Sequence, residues 1–167
     1  MFVSAFLEKM PPSAAPQQQV CDIPGKRRFS FWNDIVFETD DKYKPLKLIG
    51  KGAYGVVCSA EDTISRQKVA IKKIENAFNS RIDAIRCLRE VNLLRHICHS
   101  DVVRICGIMK PSNEDQFRDV YVVYECMDTD LHQIIRSKQP LSDDHHKYII
   151  MQASVFLARS EMEMSEM

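Results

Sequence analysis

The sequence predicts an α+β domain in which an antiparallel sheet comes before most of the helices. Three runs with the pattern of β-strands come first, KPLKLIG, YGVVCSAE and KVAIKKI, with short polar connections. Residues 80–96 then repeat their apolar positions at helical spacing. Two more β-rich runs, VVRICGI and DVYVVYECM, precede two stretches of helical pattern. This order of elements predicts a five-stranded antiparallel sheet with one long helix inserted before its last two strands.

The N-terminal segment carries little that a core could bury. PPSAAPQQQ is rich in proline and glutamine, so we expect residues 1–28 to form a disordered tail. Lys26, Arg27 and Arg28 make a basic cluster that is weak as a nuclear-import signal and more typical of a solvated turn. Order is expected to begin near Phe29, in the aromatic stretch FSFWNDIVF.

Overall charge and cysteine usage exclude several classes of protein. Lys plus Arg and Asp plus Glu both number 23, so no net field favours nucleic acid or an anionic membrane as a partner. The six cysteines show no C-x-x-C pairing, which indicates reduced thiols. No apolar stretch approaches the ~20 residues of a membrane span. We therefore expect a cytoplasmic or nuclear protein.

The stretch IGKGAYGVV carries the pattern G-x-G-x-x-G at Gly50, Gly52 and Gly55. A dinucleotide-binding fold needs such glycines to open a helix, whose N-terminus receives the pyrophosphate. Here the predicted element after the glycines is a strand, so a dinucleotide-binding enzyme is a weak hypothesis for this chain. Glycines within a hairpin instead suit a flap whose backbone approaches phosphate groups closely.

Two further residues strengthen the phosphate-binding interpretation. Lys72 ends the motif VAIK on the strand after the flap, where its ammonium group can reach phosphates under the glycines. Glu90 lies at the edge of the apolar stripe of the predicted helix, which Ser80 and Asp83 begin as a possible capping box. A solvent-facing lysine and an exposed helical glutamate are the structural alternatives. The order of glycine loop, lysine strand and helix favours the phosphate-binding interpretation over these alternatives.

The segments GAYGVVC, LREVNLLRH and MDTDLHQII resemble the N-terminal lobe of a plant-type mitogen-activated protein kinase. The resemblance covers about residues 29–152. It implies that Gly50, Gly52 and Gly55 cover the phosphates of ATP, that Lys72 contacts the α and β phosphates, and that Glu90 orients Lys72. It also implies an N-lobe at 29–127, the hinge exit and first C-lobe helices at 128–158, and a divergent tail at 159–167.

An adenine site is part of the same resemblance. Ile49, Val57 and Ala70 would hold the two faces of the base, and the backbones of Glu125 and Met127 would bond its edge.

Further positions match family roles around that site. Asp130 would meet the ribose, and Tyr124 occupies the gatekeeper position beside the adenine. Cys126 stands where the family more often has leucine. Arg86 and Arg89 match helix arginines that hold a phosphorylated activation loop.

The sequence lacks the motifs that complete a kinase site. It contains no H-R-D-x-x-x-x-N, D-F-G or A-P-E segment, so the family's magnesium ligands are absent. The nearest mimic, Phe117-Arg118-Asp119, precedes a strand and is expected to be a loop end. We therefore expect an ATP-binding lobe of a serine/threonine kinase that does not transfer phosphate. The alternative is a noncatalytic regulator that competes for an upstream MAP kinase kinase or a scaffold.

Overall fold

The structure is a computed structural model that describes residues 15–19, 21, 23–31, 34–52, 55–100, 102–111, 113 and 117–165. The chain divides into two compact units. The sheet unit holds the described residues up to Cys87 together with Ile105–Cys126. The helical unit holds Leu88–Arg104 and the described residues from Met127 onward.

A three-stranded antiparallel sheet forms the N-terminal part of the sheet unit. Its strands are β1 (Gln17–Gln19), β2 (Lys26–Ser30) and β3 (Val36–Asp40), in the order β1-β2-β3. The strand β1 and the first three residues of β2 lie within the segment 1–28 that was predicted to be a disordered tail, so that prediction is wrong for them. Residues 1–14 lie outside the described residues.

Cross-strand charge pairs and the buried Phe29 accompany this early order. Lys26 Nζ lies 2.6 Å from Asp40 Oδ1, and Arg28 Nη2 lies 3.1 Å from Glu38 Oε2, each between residues paired across β2 and β3. Arg27 Nε also contacts Asp41 Oδ1 at 3.2 Å. Opposite charges on facing positions stabilise a strand pair. The basic cluster is therefore part of a strand, and its prediction as a solvated turn is wrong.

The predicted five-stranded antiparallel sheet is confirmed. Its strands are β4 (Tyr43–Gly52), β5 (Gly55–Asp62), β6 (Lys68–Ile74), β7 (Ile105–Ile108) and β8 (Val120–Glu125). They lie in the order β4-β5-β6-β8-β7, and every neighbouring pair is antiparallel.

The core lies on one side of this sheet, which we call the rear face. Side chains of Val56, Cys58, Ile71 and Val123 alternate onto it and are almost completely buried. Phe31, Ile35 and Phe37 belong to the same buried cluster, so the three-stranded sheet covers the rear face. The Phe31 and Phe37 rings meet edge-on, with centroids 5.5 Å apart.

The opposite side, which we call the front face, carries the other residues of the same strands. Val57 pairs with Lys72, and Lys72 pairs with Val122, so these three side chains point to one side. Ala70 and Tyr124 form the adjacent pair on that side.

The helix α1 (Arg81–His96) begins at the predicted cap. Ser80 Oγ accepts a hydrogen bond from the Asp83 N–H at 3.1 Å and donates to Asp83 Oδ2 at 2.7 Å. This satisfies one of the N–H groups that the first turn of a helix leaves unpaired.

Two helices follow the sheet, as predicted: α2 (Leu131–Arg136) and α3 (Asp143–Ser165). The helix α3 continues to Ser165, within the segment 159–167 that the resemblance marks as a divergent tail. Large apolar side chains stay exposed on both helices, including Leu131, Ile135, Tyr148 and Ile150. Within the described residues, no helix has the length and apolar character needed to span a membrane.

Candidate functional site

The hairpin of β4 and β5 forms the flap predicted from the glycines. Gly52 and Gly55 face each other as the last pair before the turn, whose residues 53 and 54 lie outside the described part of the chain. The glycines are followed by a strand and not by a helix, which removes the geometry that a dinucleotide site requires.

Gly55 is the flap glycine at which no larger residue can be accommodated. Its φ is +127°, and a Cβ placed there would lie 2.0 Å from the Lys73 carbonyl oxygen and 3.0 Å from the Lys73 carbonyl carbon. Those atoms belong to the backbone of β6, which cannot turn away. Gly52 has a different environment, because a Cβ added there would meet no atom within 4 Å.

A β-bulge in β4 aligns the flap with the front face. Leu48 pairs with Cys58 and Gly50 with Val57, so Ile49 is the extra residue between two consecutive pairs. Bulges of this kind re-aim side chains and are common next to active sites. The shift places Gly50, Val57 and Lys72 in one row across three strands.

The side chains predicted to hold the adenine faces lie on three neighbouring strands of the sheet unit, β4, β5 and β6. Ala70 is buried with 8% of its surface exposed, and it pairs with Tyr124, which is also 8% exposed. Val57 is half-buried one pair away. Ile49 occupies the bulge beside them. The sheet therefore brings the side chains of Val57, Ala70 and Tyr124 to the same face.

Lys72 and Lys73 lie on opposite sides of β6. Lys72 is half-buried on the front face. Lys73 is buried on the rear face, where its Nζ contacts Glu75 Oε1 at 3.1 Å and Asp119 Oδ2 at 3.2 Å. The VAIK motif therefore selects the lysine that shares a row with the flap.

Glu90 lies on α1 with part of its surface covered. Together with Ala84, Cys87, Val91 and Leu94 it forms the less exposed stripe of that helix. Leu88, next to Cys87, lies outside this stripe and is 60% exposed. Lys72 belongs to the sheet unit and Glu90 to the helical unit, and their pairing stays a prediction.

Arg86 and Arg89 are exposed on α1. Arg86 Nη1 lies 4.0 Å from Asp83 Oδ1 one turn earlier. Their contact with a phosphorylated loop also stays a prediction.

The end of β8 leads into the predicted hinge. Glu125 is the last residue of the strand and is half-buried, and Met127 is 61% exposed. Cys126 between them is half-buried.

Asp130 has a structural role that the sequence analysis missed. Its Oδ1 accepts a hydrogen bond from the Gln133 N–H at 2.8 Å, and Gln133 Nε2 donates to Oδ2 at 3.3 Å, so Asp130 is the N-cap of α2. The backbone hydrogen bond from Gln133 lowers the pKa of Asp130. The signal was present in the sequence, because Asp followed three residues later by Gln is the capping-box pattern.

Asp119 has a structural role on the rear face. Besides Lys73, it accepts a hydrogen bond from the Asn76 N–H at 3.0 Å. It directly precedes β8, which agrees with the prediction that Phe117-Arg118-Asp119 is a loop end. Among the described residues, no three His, Cys, Asp or Glu side chains come together in a group that could hold a metal ion.

The sheet unit has the form of a protein kinase N-terminal lobe. It contains a glycine flap inside an antiparallel hairpin, and a lysine in the same row on the next strand. The family model for the protein kinase domain matches residues 43–157. Mitogen-activated protein kinase 7 of Arabidopsis thaliana is 53% identical over 142 residues, which cover 85% of this chain and 37% of that protein. Mitogen-activated protein kinase homolog NTF3 of Nicotiana tabacum is 55% identical over 129 residues, 77% of this chain and 34% of the relative.

Mitogen-activated protein kinase 4 of Oryza sativa subsp. japonica gives a similar result, with 54% identity over 128 residues. The chain belongs to the protein kinase domain family, and its plant relatives are mitogen-activated protein kinases. It spans about a third of the length of these curated relatives.

Proposed function

We propose that the front face binds ATP beneath the β4–β5 flap, as the ATP-binding lobe of a MAP-kinase-like serine/threonine kinase. The observation that carries this proposal is the row formed by Gly50, Val57 and Lys72. It sets a glycine of the flap, an apolar side chain and a cation side by side, which is what a triphosphate attached to a flat base requires.

The flap fits the phosphates of ATP through its backbone. Gly55 lies so close to β6 that no Cβ can be accommodated, so the hairpin is held tightly at this point. Peptide N–H groups of Gly50, Gly52 and Gly55 are the donors offered to phosphate oxygens. The Lys72 ammonium would contact the α and β phosphates, with Glu90 as its orienting partner.

The adenine would lie against Ile49, Val57 and Ala70, with its edge bonded to the backbones of Glu125 and Met127. Asp130 would accept a hydrogen bond from the ribose while it caps α2. This double role is chemically consistent, because a carboxylate offers about four lone-pair sites and Gln133 uses two of them.

Magnesium is different, because the described residues do not fit it. They hold no group of three potential ligands, and the family's D-F-G and catalytic-loop motifs are absent from the sequence. ATP binding would then rest on the base, the flap and Lys72.

This chain is not expected to transfer phosphate on its own. Phosphoryl transfer needs a carboxylate that orients the attacking hydroxyl group and cations that neutralise the developing charge. The sequence carries neither motif in which the family supplies these groups. Removal of a single such group commonly lowers the rate about 100-fold or more, and here several are missing together.

Titration of the full chain with ATP tests the binding site. We expect weak binding that Lys72→Met lowers about 10-fold or more, since the ammonium is the principal cation offered to the phosphates. Lys44→Met is the matched control, because Lys44 is exposed on β4 and outside the front-face row. Equal affinity of the wild-type and Lys72→Met chains would place the nucleotide elsewhere.

A phosphotransfer assay with labelled ATP and myelin basic protein tests the absence of activity. We expect the wild-type chain and Lys72→Met to give the same background rate. Turnover confined to the wild-type chain would refute the proposed inactivity and leave the binding proposal intact.

A second candidate is a noncatalytic regulator that competes for an upstream MAP kinase kinase or scaffold in the cytoplasm or nucleus. Exposed apolar residues on the first turns of α1 favour it, because Ile82 is 62% and Ile85 44% exposed beside Arg86. Co-purification with a MAP kinase kinase, compared between the wild-type chain and Ile82→Ser/Ile85→Ser, tests this function. Equal recovery would exclude this surface.

A further inference from the structure

A concavity of about 580 Å³ lies on the rear side of the sheet unit. It is lined by residues of β2 and β3, by the end of β6 and the start of β8, and by described residues of the β7–β8 connection. Its size falls in the range of natural ligand sites. Nothing in the nucleotide proposal uses it, because Lys73 and Tyr121 in its wall point away from the Lys72 side of the sheet.

The floor of this concavity is held in place by hydrogen bonds. Lys73 Nζ bridges Glu75 and Asp119, and Asp119 also accepts the Asn76 N–H. Tyr121 Oη accepts a hydrogen bond from the Glu38 N–H at 3.3 Å, which ties β3 to β8. A floor fixed in this way loses little conformational freedom when a ligand binds.

The charges of the described lining residues are unequal, with five cationic and three anionic side chains. All three carboxylates are already paired: Glu38 contacts Arg28, while Glu75 and Asp119 contact Lys73. In contrast, Lys110 and Arg118 are exposed and make no ion pair with another residue that the structure describes. The concavity therefore offers unpaired positive charge, although the chain as a whole has a formal net charge of zero.

The backbones that carry these two cations are fixed. Lys26 Nζ donates to the Lys110 carbonyl oxygen, and the Ala77 N–H donates to the Arg118 carbonyl oxygen at 2.9 Å. The long side chains can adapt to a ligand, whereas their points of attachment cannot move far.

An aromatic pair borders the cationic side. Phe117 lines the concavity, and its ring lies 4.9 Å from the ring of Phe78, centroid to centroid. Phe78 is 50% and Phe117 37% exposed. Exposed aromatic side chains next to cations are typical of protein-binding surfaces.

We propose that this rear concavity is a docking site for an acidic peptide segment of a partner protein, whose Asp or Glu carboxylates meet Lys110 and Arg118 while a neighbouring large apolar side chain meets Phe78 and Phe117. The juxtaposition of unpaired cations with an exposed aromatic pair supports a peptide over a simple anion. An inorganic anion has no group for the aromatic pair, and a purely apolar segment leaves the cations unpaired.

The test uses the full chain and a fluorescein-labelled synthetic peptide in which one Phe stands within a run of Asp and Glu. We expect binding that weakens as salt concentration rises, because exposed charge pairs are screened. The double variant Lys110→Glu/Arg118→Glu should lower the affinity about 10-fold or more. Phe117→Ser, or replacement of the peptide's Phe by Ser, should lower it several-fold.

The matched control is Lys44→Glu/Lys47→Glu, which changes net charge equally at two exposed residues of β4 outside the concavity. It should bind the peptide like the wild-type chain, and so should Lys72→Met, which separates this result from the nucleotide proposal. Equal loss in the β4 control would indicate nonspecific attraction and overturn the docking site.

Three other outcomes would also overturn it. These are no peptide binding at low salt, equal binding of a Phe-free acidic peptide, and displacement of the peptide by inorganic pyrophosphate alone at equal charge concentration. Light scattering gives a fourth: a dimer that the Lys110→Glu/Arg118→Glu variant abolishes would assign the surface to a second copy of this chain.

Discussion

Lys72 and Lys73 are adjacent and chemically identical, yet the two faces of the sheet give them different roles. On the front face, Lys72 is half-buried in a row with the flap glycines. On the rear face, Lys73 is buried and fixed between two carboxylates. Burial lowers the pKa of Lys73, but the Tyr121, Glu75 and Asp119 groups more than offset this, so its pKa is raised. The rear lysine is committed to structure, and the front lysine is placed for a ligand.

The largest expected effect comes from the glycines of the flap. Gly55→Ala should destabilise the chain by roughly 3 to 5 kcal/mol, for two reasons. Alanine is strained at the positive φ of this position, and its Cβ would lie 2.0 Å from the Lys73 carbonyl oxygen. Gly52→Ala, where a Cβ meets nothing within 4 Å, should change stability by less than about 1 kcal/mol. Urea unfolding of both variants measures the difference. Similar losses would show that the hairpin is not held against β6.

The next effect is the response of the rear face to alkaline pH. Burial raises the pKa of Tyr121 to about 12, whereas the phenol of an unfolded chain titrates near ~10. Folding therefore favours the protonated phenol, and its contribution, present below about pH 10, is lost as pH rises toward 12. This loss amounts to roughly 2 to 3 kcal/mol. The raised pKa of Lys73 acts in the same direction above about pH 10.5.

Tyr121→Phe isolates the part of this response that belongs to the phenol. At pH 8 the variant should be less stable by about 1 kcal/mol, since the Glu38 N–H loses its acceptor. Between pH 10 and 12 the difference from wild type should shrink and then reverse, as only the wild-type chain buries a titrating phenol. Parallel stability curves for the two chains over this range would contradict the assignment.

The two lysines provide a direct comparison of the faces. Lys73→Met should destabilise the chain by about 2 kcal/mol, because Glu75 and Asp119 lose their shared partner while partly exposed to water. Lys72→Met should cost less than about 1 kcal/mol in stability, and its main effect should be on nucleotide affinity. Thermal unfolding should therefore detect mainly Lys73→Met, and ATP titration should detect mainly Lys72→Met. Equal effects on stability would mean that the faces are not specialised.

The assignment of these faces could be predicted from the sequence to a large extent. The period of two along VAIKKI places Lys72 and Lys73 on opposite sides of any strand, and the glycine pattern indicates which side is the front. The N-cap of α1 at Ser80 could also be predicted, because its signal lies within four consecutive residues. By contrast, the partner of Lys73 lies at Asp119, far along the chain, and no local pattern indicates such a contact.

The three-stranded sheet illustrates a second limit. QQQ and KRRFS have little intrinsic preference for strands, and their composition alone indicated a tail. Pairing of β2 with β3 gives opposite charges to the basic residues and buries Phe29. The register that achieves this depends on the complementary sequence of β3, which a reading of residues 1–28 alone does not include. The rear concavity was missed for the same reason.

The smallest expected change in stability concerns Lys26 and Arg27, two neighbouring cations of β2. Only 10% of the Lys26 side chain is exposed, and it contacts Asp40 at 2.6 Å and the Lys110 carbonyl oxygen, whereas 47% of the Arg27 side chain is exposed at its contact with Asp41. Lys26→Met should therefore cost about 1 kcal/mol, and Arg27→Met less than about 0.5 kcal/mol, because exposed ion pairs contribute little. Urea unfolding at low and at high salt measures both. At high salt an exposed ion pair is screened. If Arg27→Met were then as destabilising as Lys26→Met, the exposed ion pair of Arg27 would stabilise β2 as much as the buried side chain of Lys26 does.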